Sequence, residues 1–201
     1  MKTSFNILIA GVGGQGNLVC GRVLAEAAIL EDRRPVLGDT FGASRRGGSV
    51  LTHLRVADED MGPLIPKGHA DLVVGMEPVE GLRSTLNYAS PGTKVVVSTM
   101  PVYSPATRSG QYQYPEVSRI TSALRDLCEV VYAVDPKPTL DRIGTYKVLN
   151  VFILGVLSGS GVVPFSREAI QSSIEKTVGL ETSNQLAFTS GIEEGMRLRS
   201  L

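Results

Sequence analysis

The chain has 201 residues, long enough for one well-buried core and too short for two ordinary domains. Its 42% hydrophobic and 20% charged residues are those of a globular protein, and twenty Lys plus Arg balance twenty Asp plus Glu. Zero net charge removes the electrostatic case for a dedicated nucleic-acid or anionic-membrane binder, and it favours life in a complex.

The N-terminus MKTSFNILIA lacks the basic–apolar–small layout of a secretory signal and leads directly into a strand, so a cytoplasmic protein is expected. Phe5 to Gly16, FNILIAGVGGQG, is an apolar strand that enters a glycine loop. Gly11, Gly13 and Gly16 stand at G-x-G-x-x-G spacing, Gly14 adds a fourth glycine, and Leu18, Val19, Val23, Leu24 and Ala27 follow at helical intervals. This is the strand–turn–helix opening of a nucleotide-binding-type α/β domain. One glycine turns the chain, one lets the backbone approach a ligand, and one lets the helix lie close to the strand. The helix N-terminus then offers unpaired N–H groups to an anion. Alone, the motif is weak evidence for a dinucleotide.

A charged turn, Glu31 to Arg34, precedes a predicted strand Pro35–Gly38 with Asp39 at its end. Asp39 reads either as the ribose-binding acid of a dehydrogenase, about twenty residues beyond the glycines, or as a loop acid capping a turn. Thr40 to Val50, TFGASRRGGSV, is a cationic glycine loop. Its arginines and backbone N–H groups suit a phosphate or carboxylate, or else it is a solvated turn; Phe41 suggests packing against something. Val50 to Val56 alternates as a strand with one wetter face, predicted antiparallel and at the sheet edge. His53 reads as structural or interfacial rather than catalytic, and His69 as a loop residue.

A stiff loop, Gly62 to Gly68, leads into a buried parallel-type strand at Asp71–Met76. Glu77-Pro78 opens a helix to Tyr88, and a second buried strand spans Lys94–Ser98. Glu77 and Glu80 read as the charged start of that helix rather than as an acid–base pair. Met100 to Pro115 is a long irregular segment with Tyr103, Arg108, Tyr112 and Tyr114, the composition of an interface loop. A helix over 116–127, a strand over 129–135 and a helix over 139–157 follow. The last is apolar nearly all round and is expected to bury its second side against another subunit, with Asn150 needing a hydrogen-bond partner. Two amphipathic helices, 166–178 and 183–198, close the chain. Cys20 and Cys128 are the only cysteines, both placed in apolar runs, with no C-x-x-C to hold an iron–sulfur cluster and no metal-ligand pattern. The expected architecture is one α/β domain over 1–201. It has a Rossmann-like, mostly parallel open sheet, helices on both faces and a helical C-terminal region.

Joint occurrence of the glutamine-containing glycine loop and an Arg-Gly-Gly loop resembles a known family. The matching pieces are Gly11 to Gly16, Thr40-Phe41-Gly42, Arg46 to Val50, His53 to Arg55, Gly62 to Pro66, Ala70 to Leu72 and Gly75 to Arg83. The C-terminal half agrees by its helices and by Asn150 with Gly155. The chain is similar to the gamma-type subunits of 2-oxoacid:ferredoxin oxidoreductases, most of all the small-subunit branch of the indolepyruvate enzymes; Asp39 departs from the family's glutamate. The resemblance implies oxidative decarboxylation of a 2-oxoacid, here an arylpyruvate, to an acyl-coenzyme A. It also implies a hetero-oligomer whose large (alpha) subunit carries thiamine diphosphate, magnesium and 4Fe–4S clusters, with ferredoxin as acceptor. This chain then binds no cofactor alone and supplies no catalytic acid, base or nucleophile. Gly11, Gly13, Gly14, Gln15, Gly16, Arg45, Arg46, Gly47 and Gly48 either contact coenzyme A phosphate or dock a loop of the large subunit. Remaining alternatives are a different oxoacid (pyruvate, branched-chain or 2-oxoglutarate), a free-standing NAD-binding oxidoreductase using Asp39, and a non-catalytic adaptor.

Overall fold

The computed structural model describes residues 4–42, 48–179 and 181–200. Strand β1 (Ser4–Val12) is the spine, buried from Asn6 to Val12. After it come α1 (Asn17–Leu30), β2 (Pro35–Phe41), β3 (Ser49–Ala57), β4 (Leu72–Gly75), α2 (Pro78–Tyr88) and β5 (Lys94–Ser98). Then follow α3 (Pro105–Arg108), α4 (Val117–Leu127), β6 (Val130–Val134) and the helices α5 (Lys137–Ile143), α6 (Leu149–Ser160), α7 (Arg167–Val178) and α8 (Thr182–Arg199). The six strands form one open sheet in the order β2-β3-β1-β4-β5-β6. β1, β4, β5 and β6 run parallel, whereas β3 is antiparallel to both β1 and β2.

The α/β expectation holds, with two corrections in the sheet. The 50–56 strand is antiparallel but not at the edge, because β3 lies between β1 and β2. The α1 crossover sets β2 down one strand-width away from β1, and the hairpin after β2 returns the chain into that slot. Asp39 accordingly sits within β2 rather than after it, opposite Thr52, whose hydroxyl donates to its carboxylate at 2.6 Å. The inserted β3 separates Asp39 from the glycine loop, which removes the geometry of a ribose-binding acid.

Alternate residues along the strands serve two cores. Ile7, Ile9, Leu54, Leu72, Val74 and Val96 join the core covered by α1, α6 and α7. Leu8, Val73, Val95 and Val97 join the core beneath α2 and α4. Cys20 belongs to the first and Cys128 to the second. Burial pushes the Cys20 thiol up to about 12, so it stays protonated and inert.

The predicted 139–157 helix is two helices, because Gly144 turns left-handed at φ 85° and ends α5. The apolar surround of α6 is real, since all but Ser158 are buried. Its second side is covered within the chain by α8, not by another subunit. Gly155 and Gly159 of α6 face Gly191 and Gly195 of α8 at backbone contact. Asn150 lies on α6 directly against Gly16 of the glycine loop. No described helix is long and apolar enough to cross a membrane.

His53 is buried in β3, edge-on to Tyr88 at 5.5 Å between ring centroids. Its Nδ1 accepts the Ile65 N–H at 3.2 Å, so Nε2 carries the proton of the neutral ring. Burial lowers its pKa below the ordinary 6.5, against the opposing charge of Asp39. Above pH 6.5 the ring is neutral folded or unfolded. As pH falls through that value, the unfolded chain takes up a proton that the folded chain resists, so stability is lost. The thermal midpoint is expected to fall on acidification from pH 7.5 to 5, and less steeply in His53→Gln. An equal fall in both proteins would acquit His53.

Candidate functional site

The glycine loop lies at the carboxyl end of β1, beside β4. Here the chain leaves β1 toward β2 and leaves β4 toward β5, the switch point at which open α/β sheets form their crevice. Each predicted glycine has a distinct place. Gly11 is buried in β1, where a Cβ would stand 2.7–2.9 Å from Gln15 Oε1, Asn17 Oδ1 and Met76 Cβ. Gly13 donates its N–H to the carbonyl of Gly48 at 3.0 Å, which ties the hairpin exit to the loop. Gly14, at φ 105°, has open space above it. Gly16, at φ 84°, is the N-cap of α1, and its carbonyl accepts the Cys20 N–H at 2.9 Å.

Gln15 turns inward. Its Oε1 accepts the Val12 N–H at 2.9 Å and its Nε2 donates to the Met76 carbonyl at 2.9 Å. The side chain therefore stitches the loop to the end of β4 and leaves the ligand side to backbone. Arg45, Arg46 and Gly47 lie outside the described residues.

Over the loop opens a cleft of about 830 Å³. Its floor is Gly13, Gly14 and Gly16; Val12, Leu18, Phe41 and Val50 form apolar walls, and Asn17 and Gly42 complete the lining. Phe41 is 60% exposed at the end of β2, so it stands over the cleft instead of packing away as expected. The first turn of α1 has no acidic residue and no side-chain cap, so its positive dipole end is left for an anion. Buried Asn17 donates from Nδ2 to the Val50 carbonyl at 3.2 Å. Among the described lining residues none is titratable. The arrangement can hold an anion against backbone and an apolar group against the walls, but offers no proton donor or nucleophile.

Beside Val12 a second, polar cavity of about 200 Å³ adjoins Glu77, Glu80, Arg83 and Tyr114. Glu77 is the N-cap of α2, accepting the Glu80 N–H at 2.9 Å, as its reading as a helix start requires. Burial, then the hydrogen bond to Glu77, hold the Tyr114 hydroxyl far above the ordinary phenol range. Among the described residues no three His, Cys, Asp or Glu side chains gather as a metal site. The walls Leu18, Phe41 and Val50 and the inward turn of Gln15 carry no local signal, since each depends on which strands become neighbours.

Comparison with known proteins gives a consistent result. The family model for pyruvate ferredoxin/flavodoxin oxidoreductases matches residues 6–194. Indolepyruvate oxidoreductase subunit IorB of Archaeoglobus fulgidus is 34% identical over 173 residues, 86% of this chain and 85% of that protein. The subunit of the same name in Thermococcus kodakarensis is 30% identical over 200 residues, 98% of both chains. Among solved structures, 2-oxoglutarate:ferredoxin oxidoreductase from Magnetococcus marinus, determined with 2-oxoglutarate, coenzyme A and succinyl-CoA bound, shares the fold. Its TM-score is 0.70 at 20% identity, covering all of this chain and 32% of that longer one.

Proposed function

The chain belongs to the pyruvate ferredoxin/flavodoxin oxidoreductase family, and on that premise we propose that it is the small subunit of an indolepyruvate or related arylpyruvate:ferredoxin oxidoreductase, contributing the coenzyme A side of the active site. The subunit role follows from full-length similarity to the IorB proteins. The arylpyruvate rests on their names, and the solved relative with coenzyme A bound supports the third element.

The observation that carries the reading is the cleft itself. An uncapped helix N-terminus and bare glycine backbone suit phosphate oxygens, and the Val12, Leu18, Phe41 and Val50 walls suit a long thioester arm. Arg45 and Arg46, in the adjoining loop, supply the cationic fork for a phosphate. Decarboxylation and electron transfer belong to thiamine diphosphate with its magnesium and to 4Fe–4S clusters on the large subunit. A cluster does not fit this chain, because its two cysteines are buried on opposite faces of the sheet and a cluster needs four thiolates. Its residues bind and orient; ferredoxin takes the electrons from the assembled cytoplasmic hetero-oligomer.

The test is kinetic, in the complex with the large subunit. Arg46→Ala is expected to raise the apparent KM for coenzyme A about tenfold, the effect of one lost charge-assisted contact, without dissociating the complex. Loss of the subunit, with unchanged coenzyme A dependence in the complex that remains, would assign the loop to docking instead. A panel of indolepyruvate, pyruvate and 2-oxoglutarate decides the substrate: the highest kcat/KM is expected for indolepyruvate.

A further inference from the structure

Glu77 and Glu80, only 2% and 7% exposed, are buried carboxylates that the coenzyme A cleft does not itself use. Their oxygens are engaged by donors from three separate parts of the chain. Glu77 Oε2 accepts the Glu80 N–H, while its Oε1 accepts both the Tyr114 hydroxyl and the Val102 N–H, the latter at 3.4 Å. Glu80 Oε2 accepts the Ser49 hydroxyl at 2.6 Å, and its Oε1 accepts Arg83 Nη1 at 2.6 Å.

The placement of these donors is informative. Val102 and Tyr114 stand near the two ends of the irregular 100–115 segment, whose only regular element is α3. One carboxylate oxygen therefore closes the segment on itself, and the Tyr103 ring rests edge-on to Tyr114 at 5.3 Å. Ser49 begins β3 directly after the Arg-Gly-Gly loop and pairs with Val12 in the sheet. Val12 in turn lines both the large cleft and the polar cavity over Glu77. The first turn of α2 thus grips the segments on both sides of Val12.

We infer that Glu77 and Glu80 are positioning residues: through Ser49, Glu80 fixes the exit of the arginine loop beside the Val50 wall of the coenzyme A cleft, and Glu77 fixes the tyrosine-bearing segment over the adjoining polar cavity. The inference rests on the reading of the cleft given above. Its physical basis is preorganisation: a wall ordered before the ligand arrives spares binding the entropy of ordering it. Each of the four carboxylate oxygens already accepts at least one hydrogen bond, and the Tyr114 hydroxyl keeps its proton and acts as a permanent donor, so both side chains are held in one place.

The experiment compares Tyr114→Phe, Ser49→Ala and Glu77→Gln with the parent in the complex with the large subunit. It reads amide hydrogen exchange over 48–50 and 100–115 together with kcat and both KM values. Ser49→Ala is expected to speed exchange over 48–50 about tenfold and to raise the coenzyme A KM by a similar factor, as the loss of one hydrogen bond to a charged group would. The oxoacid KM and kcat at saturating coenzyme A stay as they were. Tyr114→Phe speeds exchange over 100–115 to a similar extent and leaves the coenzyme A KM as it was, since that segment borders the polar cavity and not the cleft; the two variants answer the question if Glu77→Gln does not fold. Faster exchange over 48–50 in Ser49→Ala with an unchanged coenzyme A KM, while Arg46→Ala raises it, overturns the inference and leaves the cleft reading intact. If Arg46→Ala and Ser49→Ala both leave that KM unchanged, the cleft reading fails and the positioning role falls with it. A fall in kcat at constant KM would make Glu77 a catalytic acid, which also overturns it.

Discussion

Gly191→Ala is expected to destabilise the chain by about 3 kcal/mol or more, lowering its thermal midpoint by roughly 6–12 °C. The reason is the closeness of α8 to α6. A Cβ on Gly191 would lie 2.1 Å from the Phe152 carbonyl oxygen and 2.9 Å from Gly155 Cα. The reciprocal positions are as tight: 2.3 Å from Gly155 to the Phe188 carbonyl, 2.2 Å from Gly159 to that of Ile192, and 2.4 Å from Gly195 to that of Val156. Two opposed effects decide the outcome. Alanine is favoured over glycine inside a helix by about 0.5–1 kcal/mol. Against this, the atoms in the way are backbone of a buried helix, which no rotamer change can move, so two helices must separate and forfeit their contact. The clash wins. Gly92→Ala is the control, because a Cβ there meets nothing within 4 Å. Thermal unfolding followed by circular dichroism measures both, and a Gly191→Ala protein within about 1 kcal/mol of the parent would refute the close-contact account.

The second large effect separates two glycines that stand two positions apart in sequence and serve different purposes. Gly16→Ala is expected to lose about 2–3 kcal/mol of stability, and Gly14→Ala about 1–2 kcal/mol with a roughly tenfold rise in the KM for coenzyme A. Both residues have positive φ, so an alanine strains either one. Only at Gly16 does the added methyl also run into a neighbour, the buried Asn150 side chain at 2.9 Å. At Gly14 the methyl points into open space, and that space is the cleft. Stability therefore reports on Gly16 and ligand affinity on Gly14. Urea unfolding and coenzyme A titration of the assembled enzyme distinguish them; a Gly14→Ala enzyme with an unchanged coenzyme A KM would show that phosphate does not rest on this backbone.

Much of the fold was legible because its signals are local. The strand–glycine–helix opening, the Pro78 start of α2, the Ser166 cap and Gly179 stop of α7, and the apolar runs of β4 and β5 depend on residues within one or two turns of each other. Family membership was legible for the same reason, carried by short motifs in the first hundred residues. The break at Gly144 was missed because the apolar pattern continues on both sides of it, and periodicity weighs a lone glycine lightly.

What sequence alone determined, then, is the inventory: a nucleotide-type α/β domain, its element types, and the glycine loop between its first strand and first helix. Tertiary structure decided the neighbours. That β3 slips between β1 and β2, that α8 rather than another subunit covers α6, and that Gln15 faces inward all follow from pairings between distant parts of the chain. The contact from Glu77 to Tyr114 spans 37 residues and that from Asn17 to Val50 spans 33. Periodicity and capping are blind at such separations. Hydrogen bonds and close packing are satisfied by whichever groups the folded chain brings together, and a polar residue's partner is chosen only when the sheet and its helices close around it.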